Sequence, residues 1–410
     1  MGNILNLVFE DFDNKNIPLP NGYCLDKNLL FLPHFMGLQN KLFEIKYNTL
    51  NDVHLFNNFY FVICHRLPLF DYLSECGNLF ISDMLKLQIR NKNLKVIFIQ
   101  EHESEERIVD TINLLNKLCI HNDLEFSNFY IINNNSELNS YKLLTKINLH
   151  KIEFLAMWSY EVLIQFNPKF VTNKLGKFCL LHNRTPKSHR IILLALLKKY
   201  NILENFDWSI IDGWRKNLTK DGWYYQYDKI LSKNQIDDIK EEIDFFDKID
   251  VKKSDYEINT NWFEDDSKLQ FDKCFELSTY ENSYINVVTE SFFWQDAIHI
   301  TEKAFKAFYF FQLPIFVSSY GYIKKLKELY GFDMFDDMIN HNYDNEPDNE
   351  KRMFMIFSEL MRLIENKSNI IEFYKNNEHR FISNQNIVKN IKNNNLYGKL
   401  LLSLTKKVLI

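Results

Sequence analysis

The sequence predicts an α/β protein of two units that meet near residue 170. Three observations lead there. Short runs rich in β-branched and aromatic residues alternate with stretches of helical spacing, which is the pattern of parallel strands covered by helices. The alternation restarts after the linker-like "FNPKFVTNKLGK". At 410 residues, 46% hydrophobic with 36 Phe and 21 Tyr, the chain can bury two or three cores. The expected ranges are 1–170, 171–375 and a helical tail over 376–410.

In the first unit, "NILNLVF", "YFVICHRL", "LKVIFIQ" and "NFYIIN" read as strands. Between the last two, Ile108, Ile112, Leu115 and Cys119 share one face of a helix. A second helical run is expected over 141–165. In the second unit "FCLLHN" reads as a strand, and "SHRIILLALLKKYN" as a helix with Pro186 near its start. A helix is expected around 234–247 within an otherwise irregular 214–279. Then follow "INVVTES" as a strand, "TEKAFKAFYFFQ" as a helix, "PIFVSS" as a strand and "YIKKLKELYG" as a helix stopped by Gly331. Residues 348–366 form an amphipathic helix, and the Asn- and Lys-rich tail is helical.

Composition narrows the function classes. Forty-nine basic against 54 acidic residues give −5, so no global field favours nucleic acid or an anionic membrane. The six cysteines are scattered with no CxxC and no zinc spacing, which reads as buried thiols in a reducing compartment. The start "MGNILNLVFEDFD" has no basic n-region or long apolar core, and no run approaches the ~20 apolar residues of a membrane span. The expectation is a cytoplasmic protein.

Three strand ends of the second unit carry polar clusters, where open parallel sheets bind ligands. In "HNRTPKSHR", Asn183 and Arg184 follow a strand, and His189 and Arg190 enter a helix. Guanidinium forks suit phosphate oxygens, although a solvated loop also accounts for surface arginines. Glu290 and Ser291 close "INVVTES"; they suit a sugar hydroxyl or a capped turn equally. Thr301, Glu302 and Lys303 open a helix whose Phe305, Phe308, Tyr309 and Gln312 form a core stripe. Thr301 is a natural N-cap, and a helix start can hold an anion. Glu302 and Lys306 pair at i, i+4, and Lys303, rotated about 100° from Glu302, points elsewhere. The DxD of Asp11 and Asp13 is short and common, and the histidines lack ligand spacing, so no metal is expected. GxGxxG, P-loop, HExxH and GxSxG patterns are absent from the sequence.

The stretches "VVTESFFWQDAIHITEKAFKAFYFFQLPIFV" and "HNRTPKSHRIILLALL" resemble the donor-binding region of the α-1,3-fucosyltransferases. The likeness spans about 178–200 and 284–344. It implies the GT-B architecture: two facing Rossmann-like domains with a central cleft, the amino-terminal one serving the acceptor and the carboxyl-terminal one the donor. It implies transfer of a sugar, with fucose the family's own, from a nucleotide-diphosphate sugar (GDP-linked in the family) to a glycan or glycoconjugate hydroxyl, inverting and without a metal or resident cofactor. Carried over by position, Glu302 holds the ribose and Lys303 the diphosphate, while Arg190 or Arg184 supplies a second cation. Glu290 takes the signature's Glu position. Ser291 stands where the family has Asn, and His299 where it has Tyr. The family's base is an amino-terminal carboxylate; "KVIFIQEHESEE" offers Glu103, preferred, and Glu101. Two other classes remain open: a glycan- or nucleotide-binding protein without turnover, and a retaining transferase.

Overall fold

The computed structural model describes residues 3–9, 43–49, 59–65, 83–91, 94–100, 108–133, 148–151, 163, 166–183, 186–210, 226–248, 277–294 and 298–391. Contacts divide the chain into two compact units, Met1–Trp158 with Lys392–Ile410, and Ser159–Ile391.

The first unit holds a six-stranded parallel sheet. Its strands are β1 (Asn3–Phe9), β2 (Phe43–Thr49), β3 (Phe59–His65), β4 (Leu94–Gln100), β5 (Phe129–Asn133) and β6 (Asn148–Lys151), in the order β2-β1-β3-β4-β5-β6. Helix α1 (Asp83–Arg90) precedes β4, and α2 (Ile108–His121) bridges β4 and β5. Ile112, Leu115 and Cys119 of α2 are buried as their spacing implies, and burial pushes the Cys119 thiol up to about 12. Over 141–165, where a helix was expected, residues 148–151 form edge strand β6 instead. Four polar-flanked residues carry no periodicity of their own; pairing with β5 makes them a strand.

The second unit centres on a four-stranded parallel sheet. Its strands are β7 (Cys179–His182), β8 (Phe206–Ser209), β9 (Ile285–Thr289) and β10 (Leu313–Val317), in the order β10-β9-β7-β8. β9 and β10 are buried at every residue, β9 inside the sheet and β10 at its edge, the near-continuous apolar reading of parallel strands covered on their faces. Helix α3 (Ser188–Lys199) links β7 to β8. Helices α4 (Lys233–Asp238), α5 (Lys240–Lys248) and α6 (Leu277–Glu281) precede β9. Helix α7 (Glu302–Tyr309) links β9 to β10. From β7 the chain winds outward to β8, then returns to the other side of β7 for β9 and β10. The winding therefore reverses between β7 and β9, the kind of position where open sheets bind ligands.

After β10 come α8 (Tyr322–Tyr330), α9 (Asn349–Glu365), α10 (Lys367–Asn376) and α11 (Glu378–Asn390). Gly331 ends α8 with φ 72°, a left-handed cap that only glycine adopts without strain. The tail helix α11 is not separate from this unit: Gln385 Nε2 donates to Tyr309 O at 3.1 Å, and Phe381 stacks on Phe335 at 4.5 Å. The supposed linker also packs here. Tyr309 Oη donates to Phe166 O, Tyr284 Oη to Thr172 O, and Phe170 stacks on Tyr374 at 4.6 Å. That packing draws the unit boundary back from the expected residue 170 to residue 158.

Candidate functional site

The parallel register brings four strand ends to one edge: Val317 beside Thr289, and His182 beside Ser209. The residues just beyond them are Ser318, Glu290, Asn183 and Ile210. Asn183 is 1% exposed; its N–H donates to Ser209 O at 3.1 Å, and its Oδ1 accepts from Thr289 Oγ1.

Glu290 is 0% exposed. Its Oε1 accepts from Tyr322 Oη at 2.6 Å and from Thr301 N at 3.3 Å, and its Oε2 accepts from Thr301 Oγ1 at 2.6 Å. The Lys303 ammonium lies 3.7 Å from Oε2. Burying a carboxyl group is costly unless its oxygens are satisfied by partners such as these. Burial, then Glu290 itself, push the Tyr322 phenol well above its usual range, so it stays a donor.

Thr301 caps α7 as its sequence position suggested: its Oγ1 accepts from Lys303 N at 3.3 Å. The anion at this helix start is Glu290, received through Thr301 N. Lys303 does not point away from the cap, as the i, i+4 pairing of Glu302 with Lys306 suggested; its Nζ donates to Thr301 Oγ1 at 3.0 Å. That bond uses one of three ammonium donors, and no other hydrogen bond holds Nζ among the described residues. The side chain is 28% exposed.

Glu302, partly exposed, occupies the first turn. Burial pushes its carboxyl up, but Lys303, Lys306, its own amide and His299 outweigh that and hold it down at about 2. It is a carboxylate at any physiological pH.

Arg190 and its neighbours act on the backbone of the loop after β9. Arg190 Nη2 donates to Thr289 O and Glu290 O, both at 3.1 Å; Lys187 Nζ donates to Ser291 O at 3.0 Å. Arg352 Nη2 donates to Phe293 O at 2.6 Å, and its guanidinium lies 4.5 Å from the Phe293 ring centre. Arg190 is buried, so its fork frames the loop rather than meeting solvent, unlike the phosphate cation expected from sequence. Ser291 is buried in the same loop. His299 is buried beside Phe292 at 5.8 Å. Tyr322, Lys187 and Arg352 were not singled out from sequence, because their partners lie 32 to 104 residues away.

The edge thus brings together Asn183, Arg190, Glu290, Ser291, Thr301, Glu302 and Lys303. Arg184, Glu101, Glu103, Asp11 and Asp13 lie outside the described residues. Two open grooves elsewhere contain none of this group. One, about 740 Å³, is lined by Lys324, Lys327, Asp336 and Arg362; the other, about 620 Å³, by Phe354, Met355 and Glu350.

No family model, curated protein or solved structure matches this chain. Its site is therefore read from its own residues. Among the described residues no group of three His, Cys, Asp or Glu side chains could hold a metal ion, and no helix is long and apolar enough to cross a membrane.

Proposed function

We propose that the chain is a GT-B-like glycosyltransferase whose carboxyl-terminal unit binds the nucleotide-diphosphate sugar. The observation that carries this reading is the α7 start. A partly exposed ammonium, which makes one hydrogen bond among the described residues and pairs with Glu290 at 3.7 Å, stands beside a partly exposed, fully ionised carboxylate. Lys303 supplies the cation for the diphosphate, and Glu302 accepts from a ribose diol. Both sit at the carboxyl edge of an open parallel sheet, and the resemblance of 284–344 to the fucosyltransferase signature supports the same assignment.

In this reading the buried residues hold the ligand groups in place. Glu290 anchors Lys303 and Thr301 from beneath, while Arg190 fixes the loop that carries Glu290. Developing charge on the departing diphosphate is stabilised by a cation set before the reaction starts. Glu103, or Glu101, removes the acceptor proton.

One observation favours a second reading, a nucleotide-binding protein without turnover: Arg190 and Glu290 are committed to internal bonds, so they hold the loop rather than a ligand. Incubating the protein with a panel of nucleotide sugars and glycan acceptors separates the two. Transferase activity releases nucleoside diphosphate and a glycosylated acceptor. Binding with no release under any acceptor supports the second reading, and neither binding nor release rejects both.

A further inference from the structure

Lys303 Nζ stands 3.7 Å from Glu290 Oε2, close enough for attraction and too far for a hydrogen bond. A carboxylate offers about four lone-pair sites to donors. Tyr322 Oη and Thr301 N occupy Oε1 and Thr301 Oγ1 occupies Oε2, so three of these sites are filled by groups other than the lysine. The acid holds the ammonium nearby without consuming it.

Tyr322 is the donor that comes from another part of the fold. Thr301 and Lys303 belong to the α7 start, whereas Tyr322 opens α8. Its place there is fixed independently of α7. Asp344 Oδ1 accepts from Ile323 N at 2.9 Å and Oδ2 from Lys324 N at 3.0 Å, the two amides that follow Tyr322. The phenol ring packs against Phe316 at 5.3 Å. Tyr322 is 0% exposed, so a ligand at the sheet edge does not touch it. What the phenol does for that ligand, it does through Glu290.

Without the phenol hydroxyl, Glu290 has a second open site on a side chain that is 0% exposed. A buried acceptor left unsatisfied is costly, so it draws in whatever donor is at hand. That donor is Lys303. Its Nζ makes one hydrogen bond among the described residues, to Thr301 Oγ1 at 3.0 Å, and that bond already keeps it beside Oε2. A short movement closes the gap. An ammonium hydrogen-bonded to Glu290 is withdrawn from an incoming anion.

We infer that Tyr322 is a positioning residue for the ligand's diphosphate: by satisfying Glu290 Oε1 it leaves the Lys303 ammonium at the α7 start for the incoming anion. This rests on the proposed nucleotide-sugar reading and extends it to a residue beneath the ligand.

Calorimetry with GDP on wild type, Tyr322→Phe, Lys303→Met and the double variant tests it, with circular dichroism confirming that each is folded. Tyr322→Phe should weaken GDP binding about three- to tenfold, within the couplings found inside one hydrogen-bond network. In the Lys303→Met background the same change should have no further effect, because the cation it positions is gone. Unchanged or tighter binding by Tyr322→Phe overturns the inference. An equal fall in both backgrounds also overturns it, since the phenol then has a structural role only. Either result leaves the donor reading standing where Lys303→Met itself weakens GDP. If Lys303→Met binds as wild type does, or wild type does not bind, the donor reading falls and this inference falls with it. Should Tyr322→Phe fail to fold, the structure of wild type with GDP bound decides. Tyr322 Oη on Glu290 Oε1 with Lys303 Nζ on a phosphate oxygen supports the inference. Tyr322 Oη on the ligand itself, or Lys303 Nζ hydrogen-bonded to Glu290 and not to a phosphate, refutes it.

Discussion

Tyr322 Oη donates to Glu290 Oε1 at 2.6 Å, tying the start of α8 to the end of β9 beneath the start of α7. With Thr301 Oγ1 on the other carboxylate oxygen, the buried Glu290 becomes the joint of three elements. The charge buried at this edge is thus satisfied from within the protein.

Removing the phenol hydroxyl therefore leaves a buried carboxylate short of a donor. Tyr322→Phe should lower unfolding free energy by about 1.5–3 kcal/mol, the range for hydrogen bonds to charged groups, measured by urea titration. Thr301→Val should do at least as much harm, because it removes both a Glu290 bond and the helix cap. Stability within 0.5 kcal/mol of wild type for both variants, a margin of about the scatter of neutral surface changes, contradicts the joint.

Lys174 makes stability depend on alkaline pH. Its Nζ donates to Glu281 O at 3.1 Å and lies 5.0 Å from the Tyr374 ring. Burial lowers its pKa to about 7, against a smaller opposing pull from Glu281. Between about 7 and the ordinary 10.5 the unfolded chain holds a proton here that the folded chain lacks. Stability should thus rise with pH across that window, while the cost stays fully in place below it. Lys174→Met should flatten the rise, followed by denaturation at pH 7 and pH 10. An equal slope in the variant shows that Lys174 is not its source.

Arg380 binds two carboxylates at once. Its Nε and Nη2 reach Asp333 at 2.6 and 2.9 Å, and its Nη1 and Nη2 reach Asp337 at 2.8 and 2.9 Å. Asp333 is pushed up by burial but held below its usual range by this guanidinium and the Phe335 amide; Asp337 is lowered first by Arg380. Their contribution is present above the ordinary carboxylate range and is lost as pH falls through the lowered values. Arg380→Lys should cost about 1 kcal/mol at neutral pH, since a point cation cannot span both acids, and less in acid. A cost that stays the same from pH 7 down to acid strong enough to protonate both carboxyl groups argues against the paired carboxylates.

Most of what positions the edge was legible in the sequence. The strands ending at Thr289 and Val317 and the helix opening after Thr301 were read from β-branched runs and a capping residue, and the core stripe from Phe305 to Gln312 is buried. The weaker elements were not. β8 is only four residues with Asp207 in its middle, β2 is polar at alternate positions, and α10 begins where α9 ends at Asn366. They exist because neighbours pair with or pack on them, which local propensity does not record. At the site, the residue types were visible but their commitments were not. Arg190 looked like a phosphate cation, yet its donors serve the carbonyls of residues 99 and 100 positions away. Such long-range pairing leaves no trace in a single sequence.

The base is a further expectation. With a carboxylate taking the acceptor proton, Glu103→Gln should lower turnover by about 10²–10⁴-fold with donor affinity nearly unchanged. A steady-state comparison with Glu101→Gln checks it; full turnover in both variants places the base elsewhere or the reaction in the retaining class.

The central claim is that Lys303 holds the donor diphosphate. Titrating GDP into wild type and Lys303→Met by calorimetry tests it most directly, with circular dichroism confirming that both are folded. The account predicts binding to wild type and a loss of about 1.5–3 kcal/mol in the variant, roughly 10- to 100-fold in Kd. Equal affinity in the two folded proteins would contradict it.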